Sequence, residues 1–436
     1  MNPEFRRQLW LQFSATRLAL LPLLLAGIFF AVYLSVKAAP AEPLATVAAL
    51  LFGVLVWGMG TFAAGSSVMD EIADRTWDQQ RMSAMQPWAM TWGKLAGATA
   101  YGWYGGALCL LVALPSALAL EPFAWVLKVS AMAVLAGVFL QALLIAINLQ
   151  LLKSSSRVSR RGGVWALLLV LLWGSGMVMG ALRGARIDWW GQSFERLDFA
   201  LASLALFAAC ALLGAWRSMA EVLSVRQLPW GWPAMALAAT AYVSGFAWAQ
   251  RVPVVGVVGL SACAVLTYFA LLTEPQTRPH WQRVVDRAVA AQWRPLLLQL
   301  PRWTTTLLLA MPFAVTTAVS LSPQAAEPWA VTSAALLHPM AFVLLLARDC
   351  ALALFFAFSP HTRRPVWAFA VLMLVLYALL PWLLRLLGGP VLAGLALPLF
   401  GNGTAAIAIA AVHLAMALWL LRWRWLATTP SASQGQ

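Results

Sequence analysis

The sequence predicts an all-α, polytopic membrane protein with about twelve transmembrane helices and both termini in the cytoplasm. Of the 436 residues, 62% are hydrophobic and only 10% are charged, whereas a soluble domain carries about 25% charged residues. A chain this apolar cannot cover its surface in water, so lipid is the solvent for most of it. The spacing of the apolar stretches and the positions of Lys and Arg support the same fold class.

Twelve apolar stretches are each long enough to cross a bilayer, which takes about 20 residues of α-helix. They lie at about 18–36, 45–66, 95–119, 123–152, 163–182, 198–216, 231–249, 253–273, 304–322, 329–347, 366–386 and 404–421. The first exceeds the apolar region of a signal peptide, about 7–15 residues, so we interpret it as a membrane helix. Residues 386–403 are apolar but broken by Gly and Pro, which favours a re-entrant or interfacial segment.

The distribution of basic residues sets the predicted orientation. With the N-terminus in the cytoplasm, only seven of the 29 Lys and Arg lie on the outer side. The seven are Lys37, Lys128, Arg183, Arg186, Arg196, Arg251 and Arg385. This asymmetry follows the positive-inside rule and favours an even number of spans. It also accounts for the net charge of +14 without a nucleic-acid partner, because the basic residues are spread over short segments between apolar runs.

The sequence lacks the motifs of a nucleotide-binding or hydrolytic site. A G-x-x-x-x-G-K-[ST] phosphate loop, an H-E-x-x-H helix and a G-x-S-x-G turn are all absent. The four Cys and four His are scattered without the spacing of metal ligands. We therefore expect a transport protein with no cofactor and no enzymatic activity of its own. If transport is driven by ATP, hydrolysis takes place in a separate chain.

Residues 69–94 interrupt the apolar sequence with charge between the second and third spans. Asp70, Asp74 and Asp78 recur at four-residue steps, so on one helix they form a stripe. We expect a cytoplasmic helix here that offers a docking surface to a soluble partner. The alternative is a solvated loop whose charges keep it out of the bilayer.

This segment resembles the cytoplasmic loop of ABC-2-type ABC-transporter permeases, the integral-membrane exporter subunits. The matching residues are Glu71, the pair Arg75-Thr76, the turn Gln86-Pro87 and the pair Gly93-Lys94. Gln86 stands where the family usually has Ser. The chemistry of Pro87 and Lys94 supports the same interpretation. Pro87 is expected to end the helix, and Lys94 is expected to extend its ammonium to the membrane edge.

The resemblance implies a permease of the bacterial inner membrane that works with a separate cytoplasmic ABC ATPase. It implies a coupling helix at 67–92 that contacts this subunit. The contact residues are then Glu71, Asp74, Arg75, Asp78 and Arg81. In the family a re-entrant helix pair precedes the last span on the outer side, and residues 183–199 and 386–403 occupy that place.

A second copy of the loop would make the chain two fused, unequal permease-like halves. Arg348 precedes Pro360 by twelve residues, as Arg75 precedes Pro87. The predicted domains are 1–216, a first half with its coupling helix at 67–92; 217–273, two additional spans; and 274–436, a second half with an amphipathic helix at its start and a degenerate coupling segment at 347–365. Chance similarity between short apolar motifs is the alternative.

Few polar residues lie within the predicted spans. Arg348 and Asp349 are expected to pair at a membrane edge and, by the resemblance, to form a weaker second ATPase contact. Asp349 is also the nearest candidate for an intramembrane ion relay. Gln141, Asn148 and His338 are candidates for the substrate path, with helix packing as the alternative.

Two other functions fit a chain of this class. A twelve-span secondary carrier of the major-facilitator kind matches the span count. Of its G-x-x-x-D-R-x-G-R-R signature only Asp74-Arg75 is present, because "TWDQQR" stands in place of the glycine and the arginine pair. A membrane-embedded transferase would need a carboxylate or histidine pair at a membrane edge, which the sequence does not offer. The sequence leaves open whether one chain, a homodimer or a pseudo-dimer of its halves forms the path.

Overall fold

The computed structural model describes residues 2–36, 39–83, 85–154, 186–225, 227–246, 254–274, 276–320, 338–359, 364–399 and 403–427. Nine helices among these residues are long and apolar enough to cross a membrane. They lie at Ala15–Ser35, Ala41–Ala73, Ala100–Leu118, Phe123–Gln150, Arg196–Val222, Val254–Thr273, Pro339–Ala357, Pro365–Gly389 and Thr404–Ala427. The chain is thus a helical, polytopic membrane protein, as its composition predicts.

The chain divides into two compact units. Unit 1 comprises Met1–Ile187 and Ser193–Gln227, and unit 2 comprises Asp188–Gln192 and Leu228–Gln436. The predicted second half starts at residue 274, whereas unit 2 already includes the helices between 228 and 273. The two spans that the sequence analysis set apart as additions therefore pack with the second unit.

Unit 1 begins with a short surface helix and continues with the membrane helices. The described helices are α1 (Pro3–Gln12), α2 (Ala15–Ser35), α3 (Ala41–Phe52), a first π-helical turn (Gly53–Gly60), α4 (Thr61–Ala73), α5 (Trp77–Met82), α6 (Pro87–Ala98), α7 (Ala100–Leu118), α8 (Phe123–Ser154) and α9 (Arg196–Val222). Asn2 caps α1, since its side-chain oxygen accepts the N–H groups of Glu4 and Phe5. Pro87 opens α6, a position where its missing N–H costs no helical hydrogen bond.

Packing in unit 1 pairs helices that are distant in the chain. α3 packs on α7, α4 on α8, and α8 on α9, while α1 lies on α6. The core between α4, α6, α8 and α9 is built from Val68, Met90, Ile145 and Met219, all fully buried. Small residues permit the closest approach: a Cβ on Gly102 would lie 2.7 Å from the backbone oxygen of Leu55.

One element is not helical. Strands β1 (Arg186–Trp189) and β2 (Gln192–Glu195) form a two-stranded sheet. The turn residues Trp190 and Gly191 both have positive φ, 52° and 73°, as a type I′ hairpin turn requires. The expected re-entrant helix pair at 183–199 is therefore wrong for residues 186–195, which form a hairpin.

Unit 2 contains a second set of helices. They are α10 (Gly231–Phe246), α11 (Val254–Thr273), α12 (Arg278–Val289), α13 (Trp293–Leu297), α14 (Arg302–Ser320), α15 (Pro339–Ala357), α16 (Pro365–Leu374), a second π-helical turn (Val375–Leu379), α17 (Leu380–Ala396) and α18 (Gly403–Ala427). α11 packs on α14 and α15 packs on α18. α17 is broken at Gly388 and Gly389, where Gly389 has a φ of 72°, within the segment predicted to be interrupted.

One predicted span falls on residues that the structure does not describe, and another differs from the structure in position. The stretch predicted at 163–182 lies outside the described residues. The stretch predicted at 329–347 is displaced toward the C-terminus, because α15 occupies Pro339–Ala357 and residues 321–337 are not described. The predicted degenerate coupling segment at 347–365 therefore starts within a membrane helix rather than in a loop.

Candidate functional site

The polar segment 67–94 is not one helix. α4 ends at Asp74, Arg75 takes a positive φ of 57°, and α5 restarts at Trp77. The N–H of Thr76 donates to the carbonyl of Glu71 at 2.9 Å, which closes the C-terminus of α4 in a Schellman motif. The predicted single-helix stripe of Asp70, Asp74 and Asp78 is therefore wrong: these residues lie on α4, on its C-cap and on α5.

Four charged side chains meet beneath this break, and we call them the ionic cluster: Glu4, Arg7, Glu71 and Lys94. Arg7 Nη2 lies 2.9 Å from Glu4 Oε1, and Lys94 Nζ lies 3.2 Å from the same oxygen. The Glu71 carboxylate also accepts from both Arg7 and Lys94. The Lys94 side chain is 0% exposed and that of Glu4 only 2%. The expectation that Lys94 snorkels at a membrane edge is wrong, because its ammonium is enclosed by two carboxylates.

Two acids and two cations make the ionic cluster formally neutral, which is what burial of charge demands. Burial alone would raise the pKa of Glu4. The hydrogen bond from Arg7 and the charge of Lys94 more than offset this and lower that pKa to about 2. The same hydrogen bond from Arg7 to Glu4 raises the pKa of Arg7. Both shifts favour the ionised forms of Glu4 and Arg7 at neutral pH.

The Gly-Lys pair explains why the N-terminal helix reaches this place. A Cβ on Gly93 would lie 2.7 Å from the Cβ of Glu4, and one on Gly97 would lie 2.6 Å from the Cβ of Gln8. These two glycines, one turn apart on α6, form the groove that holds α1. Gly93 therefore admits α1, and Lys94 binds the carboxylate that α1 delivers.

Helix α5 lies directly over the ionic cluster. Its first residue, Trp77, is buried in the core with Val68 and Met90, and the Lys94 ammonium lies 5.6 Å from the centre of a Trp77 ring. On the other side, Asp74, Arg75 and Asp78 are exposed. The Arg81 side chain lies outside the described part of the chain. Of the five predicted contact residues, Asp74, Arg75 and Asp78 thus face solvent, while Glu71 lies inside the protein.

Sequence reasoning did not assign Glu4 and Arg7 to the site. They are three residues apart on α1, so both point to one face, yet Glu71 is more than 60 positions away. The available signal was a single carboxylate, Glu4, among the arginines that precede the first span. Only the packing of α1 on α6 shows what that carboxylate contacts.

Gln141 and Asn148 of α8 use their polar groups for helix packing. Gln141 Nε2 donates to the carbonyl of Val56 at 3.1 Å, and Gln141 Oε1 accepts from Trp103 Nε1 at 3.0 Å. Asn148 Nδ2 donates to the carbonyl of Gly65 at 3.0 Å. Both amides are buried, and Val56 lies in the first π-helical turn, whose carbonyls need partners. The structure supports the helix-packing alternative for both residues.

His338, the third candidate for the substrate path, lies at the N-cap of α15. Its backbone N–H donates to the carbonyl of Leu399 at 3.3 Å, and the residue is half-buried. This contact ties the start of α15 to the segment after α17.

Arg348 and Asp349 lie at the centre of α15, and with their partners Tyr268, Tyr377 and His413 we call them the mid-span cluster. Asp349 Oδ1 accepts from Arg348 Nε at 2.8 Å. Asp349 Oδ2 accepts the hydroxyls of Tyr268 and Tyr377, both at 2.6 Å. Arg348 Nη1 lies 3.4 Å from His413 Nδ1 on α18.

The location of this pair corrects the prediction of a membrane-edge contact. Arg348 is 4% exposed and Asp349 is 0% exposed, in the middle of a helix that qualifies as a membrane span. A soluble partner cannot reach them there, so the structure does not support them as a second ATPase contact. Their burial fixes α11, α15, the second π-helical turn and α18 to one another.

No three His, Cys, Asp or Glu side chains are grouped as a metal ion would require within the described residues. The four Cys, Cys109, Cys210, Cys263 and Cys350, are free thiols. No protein-family model matches the chain, and neither a curated protein nor a solved structure is significantly similar to it.

Proposed function

We propose that the chain is the membrane-spanning permease subunit of an ATP-driven exporter and that a separate cytoplasmic ABC ATPase drives it. The observation that carries this proposal is the form of the segment between the second and third spans. A six-residue helix, α5, exposes charge on one side and is fixed to membrane helices on the other. The excess of Lys and Arg on the same predicted side supports a cytoplasmic position for it.

The exposed side of α5 provides the contact. Asp78 on α5 and Asp74 and Arg75 just before it are exposed, and Met82 is 80% exposed. Charged residues around an exposed apolar side chain are suited to a protein interface, since charge orients the partner and apolar area supplies affinity. Glu71 acts here as a positioning residue for α5 and not as a contact.

The buried side of α5 transmits the movement. Trp77 rests on the ionic cluster, and that cluster joins α1, α4 and α6. A displacement of α5 by an ATPase that closes on ATP therefore moves the ends of the second and third spans together with α1. Rigid-body movement of such packed helices is one of the established forms of conformational change in proteins.

Co-purification tests this proposal. We expect a stoichiometric ATPase to accompany the chain from native membranes, and the double variant Asp74→Lys, Asp78→Lys to bind it at least about tenfold more weakly. The matched control is Glu42→Lys, Glu121→Lys, which reverses two exposed acids on the predicted outer side. Full ATPase binding by the Asp74, Asp78 variant, or a wild-type chain that transports without any ATPase, would contradict the proposal.

The mid-span cluster favours a second candidate, a secondary carrier. A carboxylate at the centre of a membrane helix is costly, and such residues mark ion pathways in many carriers. Asp349 has this position, although Arg348 and two tyrosines occupy its oxygens. In proteoliposomes without nucleotide, uptake that a protonophore abolishes and Asp349→Asn eliminates would establish the carrier and exclude the exporter.

A further inference from the structure

The two units repeat one arrangement of helices. In unit 1 the second and third spans pack together, as α3 on α7, and the fourth span packs on the last helix, as α8 on α9. In unit 2 the same positions are held by α11 on α14 and by α15 on α18. This correspondence begins at α10, so the repeat restarts near residue 228 and not at residue 274.

The correspondence places residues 274–302 opposite residues 71–94, because both follow the second span of their unit. In each segment, an acidic residue at the start forms an ion pair with a basic residue at the end. In unit 1 these are Glu71 and Lys94. In unit 2, Glu274 follows the last residue of α11, and Arg302 opens α14, with Arg302 Nε 3.0 Å from Glu274 Oε1. The Glu274 carboxylate also accepts the backbone N–H of Arg302 at 3.2 Å.

The sequences of the two segments agree in register at their C-terminal ends. Pro87 precedes Lys94 by seven residues, and Pro295 precedes Arg302 by seven residues. A tryptophan follows the acid in both, Trp77 in one and Trp281 in the other. Trp281 packs its ring 5.7 Å from that of Trp303, which fixes α12 to the start of α14 as Trp77 fixes α5 over α6.

We propose that residues 274–302 form the second docking segment for the ATPase and replace 347–365 in this role. This inference rests on the proposed function, since it assigns a second contact to the same partner. The surface that α12 and α13 present carries Arg283, Val285, Asp286 and Arg294, all exposed. Between residues 278 and 294 the sequence has four Arg and one Asp, so this segment fits an acidic surface on the ATPase.

An anionic membrane surface is the other occupant that basic residues on an amphipathic helix could take. Asp286 is exposed between Arg283 and Arg287 on α12 and would be repelled by anionic lipid. An acid–cation pair below a helix anchored by tryptophan also occurs in unit 1, but without a basic excess: residues 74–81 contain two acids and two arginines. The two segments therefore share a helix above an ion pair but not an excess of basic residues. This favours a protein partner over anionic lipid.

The test compares charge reversal in the two segments. We expect the variant Arg283→Glu, Arg294→Glu to bind the co-purifying ATPase at least about tenfold more weakly, since loss of one of two linked contacts removes avidity. Joined to Asp74→Lys, Asp78→Lys, it should abolish binding. The control Arg364→Glu, Arg422→Glu reverses two exposed arginines elsewhere in unit 2 and should bind normally. Elution volume and thermal midpoint in detergent must match the wild type.

A second measurement does not depend on charge. Val285→Cys places a thiol on an exposed position of α12, and a bifunctional maleimide should join it to the ATPase, while the wild type with exposed Cys210 should give no such adduct.

If the Asp74, Asp78 variant loses ATPase while the Arg283, Arg294 variant keeps full affinity and Val285→Cys gives no adduct, this inference is overturned and the proposed function stands. If wild type brings no ATPase, both fall. If the Arg283, Arg294 variant keeps the ATPase but no longer binds phosphatidylglycerol vesicles, α12 is a membrane-surface helix and the inference is overturned.

Discussion

The two buried ionic clusters differ in how the chain assembles them. The ionic cluster of unit 1 gathers Glu4, Arg7, Glu71 and Lys94 from three helices, next to an exposed segment. The mid-span cluster of unit 2 uses two consecutive residues, Arg348 and Asp349, at the centre of one helix. In the ionic cluster of unit 1, each of these contacts joins two charged side chains. In the mid-span cluster, the Asp349 carboxylate accepts hydrogen bonds from Arg348 and from two neutral tyrosine hydroxyls.

This difference indicates different mechanical roles. Removing any member of the unit 1 cluster leaves an unequal number of buried acids and cations on separate helices, so the cluster ties α1, α4 and α6 together. The mid-span cluster keeps its charge pair within α15 and binds its neighbours through Tyr268 and Tyr377. It therefore holds helices in place at a depth where unpaired charge is most costly. Four substitutions separate these roles.

Lys94→Met should have the largest effect, because it leaves two buried carboxylates with Arg7 as their only cation. Breaking a buried ion pair from one side costs about 3–5 kcal/mol, and we expect at least that loss in the free energy of unfolding in mixed micelles. Lys128→Met is the control: Lys128 pairs with Asp198 on the surface, where solvent screens the two charges and an ion pair adds little stability. Equal losses for the two variants would contradict the importance of the unit 1 cluster.

Arg348→Leu should cost about 3–5 kcal/mol of unfolding free energy for the same reason. The double variant Arg348→Leu, Asp349→Leu should recover part of this loss, because replacing a buried pair by apolar residues is often neutral or stabilising. A double-mutant cycle in detergent measures the recovery. A double variant that is less stable than the single one would show that Asp349 holds α11 and the second π-helical turn mainly through its tyrosine contacts.

Tyr377→Phe should have a smaller effect. It removes one hydroxyl from a carboxylate that keeps its bonds to Arg348 and Tyr268, and a hydrogen bond to a charged group contributes about 1.5–3 kcal/mol. Tyr33→Phe, at a half-exposed position, is the matched control and should leave the thermal midpoint unchanged. If both variants behave alike, the tyrosine contacts of the mid-span cluster do not stabilise unit 2.

The smallest effect is a pH dependence of the unit 1 cluster. The pKa of Glu4 is lowered from 4.5 to about 2, so its contribution to stability is complete above about pH 4.5 and is lost as pH falls toward 2. Thermal midpoints of wild type and Glu4→Gln should therefore converge as pH falls from about 5 toward 2. A constant difference between the two over this range would show that the Glu4 charge does not stabilise the cluster.

Several features of the fold followed from the sequence because each depends on local pattern. Apolar length located most of the spans, and Gly388 and Gly389 marked the interruption in α17. The break at Arg75 was missed, since a non-glycine residue at positive φ gives no sequence signal and the four-residue spacing of aspartates suggested a continuous helix. The span at Pro339–Ala357 was displaced because a hydropathy window penalises Arg348 and Asp349, and it cannot detect that Tyr268 and Tyr377 compensate them.

The candidate site was predicted in part. Glu71, Gly93 and Lys94 were singled out by resemblance, but the contacts of Glu71 and Lys94 with Arg7 and Glu4 depend on α1, which tertiary packing alone brings to α6. The proposed repeat shows the same limit. Twelve-residue spacing between an arginine and a proline pointed to 347–365, whereas the packing order of the helices points to 274–302. Pairing of helices in space is a stronger guide to internal duplication than a short motif, because each span accepts many apolar sequences.

The first π-helical turn, Gly53–Gly60, determines the direction in which the far end of its span points. One residue added to a helix rotates everything beyond it by roughly 100°. Glu71 stands eleven positions after Gly60, so the helical phase set by this turn governs the direction in which its carboxylate points toward Lys94 and Arg7. Deleting a single residue between 53 and 60 would restore regular α-helical phase and turn the carboxylate away from both cations, with no change to any charged residue.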